Sequence, residues 1–153
     1  MLKYERSIDI NAPIEKVFHF HDDTSNLLKI TPPETKVDVL RMDKPGKGQR
    51  VTLSVTQFGF FKSKWDIEIT EYDPPVRIVD KALHSPFSKW TQIRTFTKLG
   101  ENQTRMTDTV EYELPLHTVT DFFAKAFIGK EISKMFEYRQ RRTKEVLENG
   151  STT

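Results

Sequence analysis

Polar and apolar positions alternate from the start of the chain. In KYERSIDI (3–10), Tyr4, Arg6, Ile8 and Ile10 share one face, which predicts a first strand. The period changes in NAPIEKVFHF (11–20), where Asn11 can cap, Pro13 suits a first turn, and Val17 and Phe18 supply an apolar side. A second short helix is expected around Ser25–Ile30, stopped by Pro32 and Pro33. Alternation then returns and holds to Leu114. It predicts strands at Thr35–Met42, Arg50–Gln57, Ser63–Tyr72, Val76–Leu83, Lys89–Leu99 and Thr104–Leu114, separated by PGKG, FGFF, DPP and a loop around Gly100–Asn102. Beyond Pro115, Val119, Phe122, Phe123, Ala126, Phe127, Ile132, Met135, Phe136, Val146 and Leu147 fall mostly on one stripe of a long helix, with Gly129 marking a kink or break. The order β-α-α-β-β-β-β-β-β-α belongs to the α+β class, as one domain over 1–148 with a disordered tail at 149–153.

The inward face of this sheet is odd. In KWTQIRTF (89–96), Trp90 and Phe96 share a face with Gln92 and Arg94. In the last strand Thr107, Thr109, Glu111 and Glu113 are polar throughout, so Met106, Asp108, Val110 and Tyr112 point to the core. A three-residue connection would set Arg94 opposite Asp108 and Phe96 opposite Met106; a five-residue one would set Phe96 opposite Asp108. The first is preferred, because a buried ion without a partner costs several kcal/mol. With Asp80 pointing inward from its strand and Arg6 from the first, four ionic groups face the core. Either they form a structural salt-bridge network, or they line a hydrated pocket beneath a Phe-rich helix. Apolar walls with a few polar anchors are the usual form of a small-molecule site.

Composition narrows the picture. A chain of 153 residues fits one domain and can bury roughly 70% of its unfolded surface. The absence of Cys excludes disulfides and thiolate chemistry and fits a reducing compartment, so a cytoplasmic protein is expected. No stretch approaches the about 18 uninterrupted apolar residues of a membrane span. With 24 basic and 22 acidic side chains the net charge is +2, too balanced for a dedicated nucleic-acid or membrane binder. Eleven Phe must be packed in a core or line a site.

The stretches SIDINAPIEKVFHFHDD, HSPFSKW, RMTDTVEYELPL and MFEYR, in that order, resemble the polyketide cyclase/START/pollen-allergen superfamily (SRPBCC), in a branch of uncharacterised bacterial members. The resemblance runs through nearly the whole chain. It implies a helix-grip fold, a curved seven-stranded antiparallel sheet around a long C-terminal helix with a hydrophobic cavity between them. Members bind or carry lipids, sterols or polyketides, and a minority catalyse cyclisation or dehydration. That branch carries His in the strand beginning at Trp90, where this chain has Gln92 and Arg94, which removes two proton-transfer groups.

The leading expectation is therefore a binding protein without a cofactor, for a small hydrophobic ligand bearing one polar or acidic group. Trp65, Trp90, Phe96, Phe123, Phe127 and Phe136 would form its walls, Arg94 and Arg6 its anchors, and Gln92 and Tyr112 would orient it. A cyclase or dehydratase would instead draw acid–base groups from Asp80, Asp108, Tyr112 and His84, although the two Asp can equally serve to neutralise the two Arg. A partner-protein module is the third possibility, through the apolar segments FGFF and DFFAKAF or the basic run EYRQRRTKEVLE. No metal is expected. His19 and His21 diverge on a helix and read as an ordinary exposed pair. PGKG lacks phosphate-loop spacing and reads as a hairpin turn.

Overall fold

A computed structural model of the chain describes every residue except 58, 116, 117, 119 and 150–153. Phe58 of FGFF, Val119 of the helical stripe and the tail beyond 149 thus lie outside the described residues. The elements are β1 (Leu2–Ile10), α1 (Ile14–Asp22), a 3₁₀ segment (Thr24–Ile30), β2 (Lys36–Met42), β3 (Arg50–Gln57), β4 (Phe61–Asp73), β5 (Arg77–His84), β6 (Lys89–Gly100), β7 (Gln103–Glu113) and α2 (Phe122–Glu148). The strands form one antiparallel seven-stranded sheet in the order β1-β7-β6-β5-β4-β3-β2. Strands β2 to β7 are a meander, and β1 closes on β7. The short helices carry the chain from one edge of the sheet to the other. Register slips in β2 and β4, between Val39 and Arg41, Asp66 and Ile67, and Ile69 and Glu71, add the local bends by which a sheet curves.

Each predicted strand is present within two residues of its expected limits. The β6–β7 hairpin turns through Glu101 and Asn102, and a slip between Lys98 and Gly100 supplies the odd count that parity demanded. Arg94 accordingly faces Asp108, and Phe96 faces Met106. Asn11 is not the cap of α1. Pro13 holds that position with no side-chain bond, and the Asn11 backbone N–H donates to Glu148 Oε2 at 2.8 Å, tying the end of α2 to the first loop. α2 runs unbroken through Gly129.

Two groups of buried side chains hold the layers together. One lies beneath α1 and joins Ile10, Phe18, Ile78, Phe96 and Met106. The other joins Trp90, Val110 and Tyr112 to Ile132 and Phe136 of α2. Phe18 is fully buried, its ring centroid 5.3 Å from that of Phe96 and 5.5 Å from that of Tyr72. Phe18→Ala is expected to cost about 3–5 kcal/mol in denaturant unfolding, since the rigid sheet below cannot collapse into the space. A loss under about 1 kcal/mol would show that α1 is loosely docked.

Candidate ligand cavity

Between the concave sheet and α2 lies a cavity of about 670 Å³. Its size falls within the about 300–1,000 Å³ typical of small-molecule sites. Apolar walls come from Leu53, Trp65 and Ile67 on β3 and β4, from Phe87 and Trp90, and from the underside of α2. Trp65 meets Trp90 edge-on at 5.2 Å, and Phe87 lies 4.9 Å from Trp90, so the aromatic wall is mutually braced. The underside of α2 follows the helical period, with Ile128, Ile132, Met135 and Phe136 succeeded on the same stripe by Arg139, Gln140 and Thr143. Phe60, Phe61 and Phe127 line the cavity while remaining exposed, which puts them at its mouth.

The polar end is built by register. β5, β6 and β7 place Asp80 beside Gln92 and Arg94 beside Asp108. Side chains then bond along the diagonals, which long groups can reach. Arg94 Nη2 donates to Asp80 Oδ2 at 3.2 Å rather than to Asp108 across the ladder. Asp108 receives amides instead: Gln92 Nε2 donates to its Oδ1 at 3.3 Å, and Gln140 Nε2 from α2 to its Oδ2 at 2.9 Å. The same Gln140 nitrogen donates to the Arg6 carbonyl at 2.9 Å. Three buried polar atoms of this region, Arg94 Nε, Arg139 Nε and Gln140 Oε1, have no partner among the described residues. Buried polar groups are nearly always bonded, so these three atoms stand out.

Burial dominates the electrostatics. It pushes the Asp80 carboxyl up against the pull of Arg94, and pushes the Asp108 carboxyl up against the bond from Gln140. The cost for Asp80 is the loss of water around its carboxylate, which the contact with Arg94 and the more distant Arg139 offset only in part. The pKa of Arg139, on α2, is lowered to about 10, again by burial first. His21 of α1 also lines the cavity, and burial together with the nearby Arg94 charge pushes its pKa from 6.5 down to about 3. The His21 Nδ1 lies 2.9 Å from the Val17 carbonyl, which can only accept, so Nδ1 carries the proton and the neutral ring keeps Nε2 as an acceptor.

The expected site residues divide. Trp65, Asp80, Trp90, Gln92, Arg94, Asp108, Phe127 and Phe136 all border the cavity. Four others do not. Arg6 lies on the edge strand, exposed, and reaches Glu137 of α2 at 3.5 Å. Phe96 is consumed by the packing beneath α1, and Tyr112 stands behind Trp90 and Phe87. Phe123 points to solvent, 82% exposed, because the first turn of α2 extends past the sheet contact. His84 is likewise exposed at the end of β5 and is not part of the wall. His21, read as exposed, is instead a neutral wall residue, whereas His19 turns outward to Asp22 at 2.8 Å. Arg139 and Gln140 were hidden in the basic run. Extending the Ile132–Phe136 stripe by one helical turn would have found them. Among the described residues no cluster of His, Asp and Glu could hold a metal ion, and no helix is long and apolar enough to cross a membrane.

A helix-grip sheet closed by a long helix over an apolar cavity defines a class of protein, and the family comparison agrees with it. Residues 1–148 match the model for polyketide cyclase / dehydrase and lipid transport, and the chain belongs to that family. Among solved structures, the Thermus thermophilus protein TTHA0849 is 21% identical with a TM-score of 0.78, the match covering 98% of this chain and 99% of that one. A START superfamily protein from Mycobacterium smegmatis is 16% identical with a TM-score of 0.70, covering 96% and 97%. The di-domain ARO/CYC BexL from the BE-7585A biosynthetic pathway is 20% identical with a TM-score of 0.73, over 97% of this chain and 47% of BexL. At these identities the likeness shows the fold. No curated protein matches the chain.

His21 makes stability depend on pH. The unfolded chain takes up a proton on this ring near pH 6.5 and the folded chain only near 3, so stability is lost as pH falls below 6.5. The raised Asp80 and Asp108 act with the opposite sign, since the folded state holds their protons to higher pH. His21→Phe isolates the ring. Between pH 7 and pH 5 the native chain should lose about 2 kcal/mol more than the variant in urea unfolding. Parallel pH profiles for the two proteins would show that the ring is hydrated and titrates normally.

Proposed function

We propose that this protein binds a small, mostly apolar ligand in the cavity between the sheet and α2, with a polar end of the ligand turned toward Asp80, Arg94, Asp108 and Arg139. The observation that carries this reading is the pairing of an apolar, aromatic wall with a polar end where Arg94 Nε, Arg139 Nε and Gln140 Oε1 lack partners among the described residues. Membership of a family described by cyclase, dehydrase and lipid-transport activities supports a hydrophobic ligand. The exposed Phe60, Phe61 and Phe127 would form the rim through which it passes.

A second reading, cyclase or dehydratase chemistry, draws on Asp80 and Asp108, two carboxyls on the cavity wall whose pKa burial raises. Tyr112 and His84, outside the wall, add nothing to it. Binding alone requires fewer assumptions and is the preferred function.

Native mass spectrometry of the purified full chain, followed by denaturing extraction, tests the binding reading. A co-purifying small molecule is expected, and Val55→Trp, which fills the β3 wall, should reduce its occupancy at least about tenfold, the weight of 1.4 kcal/mol. Unchanged occupancy in a folded Val55→Trp variant would place the molecule elsewhere and overturn the reading.

A further inference from the structure

We propose that Arg139 is the anchor for a single carboxylate on an otherwise apolar ligand. This rests on the cavity reading above and gives it a ligand class. Arg94 is already committed to Asp80. Asp108, the other inward carboxyl, has both oxygens taken by the amides of Gln92 and Gln140. The Arg139 guanidinium has no hydrogen bond or ion pair among the described residues, although it borders the cavity and its Nε is buried. Its guanidinium carbon lies over the Phe136 ring, 5.4 Å from the centroid. A cation–π contact offsets part of the lost hydration and leaves the in-plane N–H donors unused.

The chemistry of the surroundings selects the anion. Arg139 feels Asp108 and Asp80 at a distance and is opposed by Arg94, so an incoming anion meets two cations and two carboxyls whose pKa burial raises. One uncommitted guanidinium matches a monoanion. A doubly charged phosphate would call for a second cation, and the Arg94 charge is already shared with Asp80. A planar carboxylate also accepts the two parallel bonds that a guanidinium fork offers. The neutral His21, with Nδ1 bonded to Val17, adds no charge to this end. Arg6, the other expected anchor, is held outside by Glu137.

Three ten-carbon probes of equal length test the assignment at pH 7.5: decanoate, decanol and decylamine, each followed through the fluorescence of Trp65 and Trp90 in the cavity wall. Decanoate should bind at least about tenfold more tightly than decanol, the range of a charge-assisted hydrogen bond, and decylamine no better than decanol. Arg139→Gln should bring decanoate to the level of decanol and leave decanol within about twofold. Arg139→Lys should keep part of the preference. Equal binding of decanoate and decanol, or a preference that survives Arg139→Gln, overturns the carboxylate assignment and leaves the cavity reading standing. Failure of all three probes to bind overturns both. The three-probe comparison on the native chain decides even if Arg139→Gln does not fold.

Discussion

The bond from Gln140 to Asp108 ties the long helix to the middle of the sheet. Asp108 sits in the middle of β7 with almost no exposed surface, and a bare carboxylate there would be costly. Gln140, itself 1% exposed, satisfies it from above while also binding the Arg6 carbonyl of β1. One side chain thus fixes α2 over the β1–β7 side of the sheet. The Asn11–Glu148 bond fixes the helix end. With α2 held at that side, the curved strands β2 to β5 stand away from its earlier turns, and the cavity is the space that results.

The same tie explains the arrangement of charge. Because amides meet Asp108, neither arginine is spent on it. Arg94 turns to Asp80, and Arg139 is left bordering the cavity over the Phe136 ring. Such an arrangement gives up stability, since closing every buried donor on a protein acceptor would be more favourable. Sites that must receive a ligand commonly keep such unfinished bonding. His21 belongs to the same logic, as a ring kept neutral by burial where a third positive charge would face two arginines.

Much of the fold was legible because alternation is unambiguous in β3, β6 and β7. Parity across the β6–β7 turn was enough to set Arg94 opposite Asp108, although the bond itself runs to Asp80. The polar end was only half legible. A strand's period identifies the residues of its inner face, but it does not say how far an edge strand lies from the helix, which is why Arg6 was misplaced. Nor does it distinguish a residue packed behind the wall from one on it, the difference between Tyr112 or Phe96 and Trp90. On α2 the failure was one of expectation. A basic run reads as solvated, yet the helical period takes Arg139, Gln140 and Thr143 inward while Arg141 and Arg142 pair with Glu145 outside. His21 was missed because nothing local announces that the 3₁₀ segment and Phe96 close around it.

A crystal structure of the protein as purified tests the central claim most directly. The expected result is an open space bounded by Trp65, Trp90 and α2, holding an elongated molecule whose polar end lies within hydrogen-bond distance of Arg139, with Gln140 still bonded to Asp108. A collapsed interior, in which Arg139 pairs directly with Asp108 and the helix closes onto the aromatic wall, would contradict it.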